Sequence, residues 1–163
     1  MKNLFLIRHA KSSWAELGAK DFDRKLDDRG LRDAPKMAKI LRGMGITPDL
    51  IVSSPAMRAK TTAQFFAKEY AIPVEKIDLQ ADVYEASESD LLHVIKGIDD
   101  AHNTVLLFGH NPTLTYFPNR YTEDFIDNVP TCGIVLLTLN ADNWFNFNEK
   151  TVTKTGFWYP KMF

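Results

Sequence analysis

The chain has one cysteine in 163 residues, Cys132, so neither an intrachain disulfide nor a cysteine-based zinc site is possible, and a reducing compartment is compatible. Within PTCGIVLL that cysteine reads as a small buried hydrophobe at a strand start rather than a reactive thiol. Neither sign of charge dominates. A formal net charge of −1 gives no general attraction to nucleic acid or anionic lipid, so any anion recognition must come from a few converging side chains. Long apolar runs are missing too: GIVLLTL and TVLLF fall well short of the roughly 20 residues that span a bilayer. The apolar residues 4–7 meet Arg8 too early to form a signal-peptide core. The expectation is a soluble cytoplasmic protein with neither nucleic acid nor membrane as partner. No Walker-type GxxxxGK[ST] run suggests nucleotide hydrolysis. No repeat, low-complexity segment or linker divides the sequence, which fits one domain over residues 1–163.

What is present is the balance of an ordinary folded chain, 45% hydrophobic and 25% charged, far from the composition of disorder. Short apolar, branched runs alternate with segments of helical period, which argues for α/β layers. Residues 4–7 read as the first strand. A polar loop to about Asp28 follows, then Leu31, Ala34, Met37, Ala38 and Leu41 recur at helical spacing. Pro35 allows two starts for that helix, one at the proline with Asp33 as cap and one near Asp27 with a kink. Residues 50–52 read as a buried strand, and Ser54-Pro55 as an N-cap with proline at the first helical position. A weaker strand is expected over 74–79. Ser87-Glu88-Ser89-Asp90 resembles a capping box opening a helix through Ile98. Residues 104–108 form a strong central strand, Asn111-Pro112 repeats the cap-then-proline start, and 134–139 and 151–158 look like late strands.

Arg8-His9 follows the first strand and Gly109-His110-Asn111 follows the strand at 104–108. In open α/β sheets the loops leaving the carboxyl ends of strands form the ligand crevice, so the two histidines can face each other. Arg58 falls on the first turn of the helix after Ser54-Pro55, where free N–H groups and the helix dipole favour an anion, and a guanidinium grips two phosphate oxygens at once. By contrast His93, in a helix, and His102, in a polar turn, have no partners at metal spacing. The aromatic-rich end, from Trp144 to Phe163, reads as core or an oligomer contact; the sequence leaves the oligomeric state open.

LIRHAKSSW, SSPAMRAKTTA and LLFGHNP, in this order, resemble the three motifs of the histidine phosphatase superfamily, which includes phosphoglycerate mutases. DFDRKLDDRG, YEAS and NVPTCG look more narrowly like the SixA-type phosphohistidine phosphatases, and the resemblance runs from Lys2 to about Leu139. It implies a three-layer α/β/α sandwich with a mostly parallel central sheet. It also implies that His9 accepts the phosphoryl group while Arg8, Arg58 and His110 bind the phosphate. Arg24 resembles a further phosphate- or substrate-contacting arginine, or else pairs with Asp23 or Asp27. Ala10 departs from the superfamily's usual glycine, which matters if that position needs positive φ.

The implied chemistry suits these residue types. A neutral imidazole is a nucleophile, provided that its other N–H is donated, as to a backbone carbonyl. Arg8, Arg58 and a protonated His110 would hold the charge on the equatorial oxygens without a metal or any other cofactor. Glu85 is the candidate leaving-group acid, or an exposed loop carboxylate. Asn111 is a candidate phosphate-binding residue. Lys11, Ser12, Ser13 and Trp14 line the rim, or Trp14 packs beneath the long loop. The implied partner is a phosphorylated protein or a small phosphorylated molecule; short length disfavours a mutase, which must shut water out.

Overall fold

A computed structural model describes residues 1–14 and 18–163. Its six strands are β1 (Lys2–Arg8), β2 (Leu50–Ser53), β3 (Asp78–Leu79), β4 (Thr104–Gly109), β5 (Ile134–Leu139) and β6 (Val152–Trp158), in the order β3-β2-β4-β1-β5-β6. The first four run parallel, while β5 and β6 pair antiparallel on the far side of β1. Alternation along the strands makes two cores. Leu4, Leu6, Val105 and Leu107 face one way, Phe5, Ile7, Leu106 and Phe108 the other. The helices α1 (Asp28–Gly43) and α2 (Met57–Glu69) cover the second face; α3 (Glu88–Lys96) and the short α4 (Thr113–Tyr116) cover the first. The result is the mostly parallel three-layer sandwich of the sequence reading. Among the described residues no helix is long and apolar enough to cross a membrane.

Helix boundaries follow hydrogen-bond chemistry. Helix α1 takes the earlier start: Asp27 accepts from the Gly30 N–H at 2.9 Å, and Pro35 lies inside the helix. The carbonyl that Pro35 deprives of a partner belongs to Leu31, which is exposed, so water can serve it. Helix α2 begins later than Ser54-Pro55 foretells, because Ser54 accepts from the Ala56 N–H and turns its hydroxyl to another use described below. The capping box of α3 is present in both directions, at 2.9 and 3.0 Å, though the helix ends at Lys96 rather than Ile98. Two further expectations are corrected. The strand over 74–79 shrinks to Asp78–Leu79 after a 3-10 turn, and Asn111-Pro112 opens only four helical residues without a side-chain cap.

At the other end of the sheet Lys2 is buried, its ammonium donating to Asp100 O, His102 O and Asn103 Oδ1. Trp144 and Phe147 of the aromatic-rich end are wholly buried beside Phe117 and Tyr121, whereas Phe145 and Phe163 are exposed. Cys132 is wholly buried just before β5, and burial pushes its thiol far up from the ordinary range.

Candidate active site

Strand register brings the two histidines together. Arg8 lies opposite Gly109 at the carboxyl ends of β1 and β4, and the His9 N–H continues the ladder onto Gly109 O at 3.1 Å. The next residue on each strand is a histidine, and their ring centroids are 5.2 Å apart. On the other side of β4, Ser53 lies opposite Phe108, and the Ser54 N–H reaches Phe108 O. That step puts the Ser54 hydroxyl 2.8 Å from His110 Nε2. Ser54 read in the sequence as a helix cap; only the register shows it holding the imidazole.

His9 is 7% exposed, and its Nδ1 lies 2.7 Å from Ala10 O. A carbonyl only accepts, so Nδ1 carries the hydrogen and the neutral ring keeps its lone pair on Nε2. Burial, reinforced by the arginines, lowers its pKa to about 4. Ala10 is absent from the positive-φ positions, so the usual glycine is not needed for conformation here. Its N–H donates to Thr62 Oγ1, and Thr62 donates to Arg58 O, which ties the loop after β1 to α2. Thr62 sits one helical turn beyond Arg58, a spacing that carried no chemical signal by itself.

His110 departs from the sequence expectation. Burial first, then the neighbouring His9 and Arg58, lower its pKa to about 3, so it is neutral rather than protonated in the free site. An arriving phosphate would raise that value by adding negative charge. Its Nδ1 is buried with no intramolecular partner, as are Nε of Arg8 and Nε of Arg58. The two guanidinium nitrogens are donors, and His110 Nδ1 joins them when it carries the ring hydrogen, with Ser54 then donating its hydroxyl to Nε2.

Each arginine is also held from behind. Arg8 donates through Nη1 to Val129 O at 3.0 Å, and Asn111 donates to the same carbonyl and to Asn128 Oδ1, both at 3.1 Å. Both amide hydrogens of Asn111 are thereby used, which makes it a brace beside Arg8 instead of a free phosphate donor. Arg58, 6% exposed, donates to the Asp21 carbonyl at 2.7 Å and to Asp21 Oδ2 at 3.0 Å. Arg24 pairs with neither Asp23 nor Asp27. It donates to Ser12 Oγ at 2.7 Å and Asp21 Oδ1 at 3.2 Å, and its guanidinium lies 3.5 Å from the ring centre of Trp14. Trp14 itself is exposed at the rim, not packed beneath the loop. Glu85, exposed and at φ 55°, borders a cavity of about 390 Å³ shared with His110, Asn111 and Thr113.

The histidine phosphatase superfamily (branch 1) profile matches residues 4–87. An uncharacterized chloroplastic protein of Arabidopsis thaliana is 48% identical over 151 residues, which are 88% of this chain and 69% of that protein. Among solved structures, a candidate phosphohistidine phosphatase SixA of Agrobacterium tumefaciens is 28% identical, with a TM-score of 0.80 and 98% of each chain covered. The protein histidine phosphatase SixA complexed with tungstate has a TM-score of 0.75 at 18% identity over 95% of each chain, a likeness of fold.

Proposed function

The chain belongs to the histidine phosphatase superfamily, and from that premise we propose that it hydrolyses phosphohistidine in a protein substrate, with His9 as the phosphoryl acceptor and no metal. The observation that carries this reading is the pairing of a neutral His9, its Nδ1–H committed to Ala10 O, with the unpartnered nitrogens of Arg8, Arg58 and His110. His9 Nε2 attacks phosphorus and the bond to the leaving group breaks, its electron pair departing with that group. Water then attacks the phosphoryl–His9 intermediate, releasing orthophosphate and restoring the imidazole. Fixed donors around the equatorial oxygens supply the stabilisation. A binding module would have no use for a nucleophile kept neutral.

A second reading, hydrolysis of small phosphomonoesters, is favoured by one feature: Glu85 borders a cavity of about 390 Å³ beside His110, room for a modest leaving group. The test is rapid quenching with labelled phosphohistidine peptide, phosphoserine and a sugar phosphate in parallel. An acid-labile, base-stable phosphoenzyme that vanishes in His9→Ala is expected, with fastest turnover on the peptide and activity undiminished by exhaustive chelation. Label retained by His9→Ala would end the mechanism, and faster phosphoserine or sugar-phosphate turnover would end the substrate assignment.

A further inference from the structure

Beside a pocket built for an anion stands an anionic side chain. The Asp21 carboxylate contacts Arg58 Nη2 at 3.0 Å and Arg24 Nε at 3.2 Å, and accepts from the Tyr84 hydroxyl at 2.7 Å. Its backbone carbonyl takes a second bond from Arg58, through Nη1 at 2.7 Å. Tyr84 in turn stands edge-on to His110, with centroids 5.6 Å apart. One residue thus joins the loop after β1, the first turn of α2 and the segment before α3.

On the reading that this crevice binds phosphate, we infer that Asp21 is a positioning residue that holds Arg58 and Arg24 in place for the anion, with Tyr84 fixing the carboxylate. Two nearly buried guanidinium groups repel each other, and a bridging carboxylate offsets that repulsion. Geometry separates this role from competition with the substrate. Asp21 engages the Nη1–Nη2 end of the Arg58 guanidinium and leaves the edge bearing Nε, which is buried and unpartnered. Nε is out of solvent's reach in the free site, so a phosphate engages that edge only with a local shift, during which Asp21 can keep the other end.

The two roles give opposite results when the carboxylate is removed. Calorimetric titration of the full chain with tungstate, beside steady-state kinetics on phosphohistidine peptide, is the test. Asp21→Ala is expected to weaken tungstate binding and raise KM by up to about 10²-fold, the scale of loss when a positioning contact slips by about 1 Å. Tyr84→Phe should shift both in the same direction by less, with the unliganded melting temperature near that of wild type. If Asp21→Ala does not fold, Asp21→Asn and Tyr84→Phe carry the same expectation. Tungstate affinity unchanged or tightened in the folded variants overturns the inference, and tightening identifies Asp21 as a competitor. Wild type failing to bind tungstate would overturn the phosphate-site reading itself, and the role of Asp21 with it.

Discussion

His9 and His110 are buried where a proton is unwelcome, and that has a measurable cost as pH falls. An unfolded histidine takes up its proton near pH 6.5, whereas the folded pair waits until about 4 and 3. Below 6.5 the unfolded state therefore binds more protons than the native state, so stability is lost progressively down to the folded values. Thermal melts between pH 7.5 and 4.5 should fall more steeply for the wild type than for a His9→Gln/His110→Gln double variant; equal slopes would mean that both rings titrate normally. Asp21 does not confuse this window. Its carboxyl is held at about 2, chiefly by the Tyr84 hydroxyl, and its contribution is lost only as pH drops from about 4 toward that value. Glu85 separates the two substrate readings. An alkoxide leaves poorly without an acid, but imidazole has a reference pKa of about 6.5 and leaves neutral if already protonated. Glu85→Gln should slow alkyl phosphate hydrolysis by roughly 10²–10⁴-fold and leave phosphohistidine cleavage nearly unchanged. Equal modest losses on both would return Glu85 to an exposed loop residue.

The elements carry their own sensitivities, and two glycines of α1 make a controlled pair. A methyl group on Gly30 would run into the backbone carbonyl of Lys11, two residues beyond His9. Gly30→Ala should cost about 1–3 kcal/mol by overpacking and lower turnover by moving the loop that carries His9. Gly43, at the other end of the same helix, has open space at that position, so Gly43→Ala should be neutral or stabilising by up to about 1 kcal/mol. Urea denaturation of both, with activity per folded molecule, checks the contrast. Helix interiors are legible in the sequence through their apolar spacing, and so is the Ser87–Asp90 capping box, whose partners are both local. The starts at Ser54-Pro55 and Asn111-Pro112 fall elsewhere because local chemistry allows a side chain several partners. Ser54 serves His110 and Asn111 serves Val129, choices made by tertiary neighbours and invisible to a cap-then-proline pattern.

Across the whole molecule, strand order assembles the crevice. The sequence revealed strands and the histidines that follow them, yet not that β4 lies between β1 and β2, the arrangement that sets His9, His110 and Ser54 side by side. Nor could spacing show Asp21 meeting Tyr84 across 63 positions. The core under α3 and α4 continues beneath β5 and β6, and Phe147 is wholly buried there against Phe117 and Tyr121. Phe147→Ala should cost about 3–5 kcal/mol, a large share of the roughly 5–15 kcal/mol typical of a domain. Turnover per folded molecule should hold, whereas a parallel loss of turnover would show the two ends of the sheet to be coupled.

The sealed position of Cys132 bears on how such an enzyme fares under oxidative stress. A thiolate is the form that peroxide and alkylating agents attack, and burial keeps this thiol protonated and out of their reach. If His9 performs the displacement as proposed, turnover should survive a hydrogen peroxide treatment that silences phosphatases built on a cysteine nucleophile. Of the described residues none offers a thiolate to such oxidants, so on the proposed mechanism peroxide and thiol reagents have no sulfur target in the displacement itself.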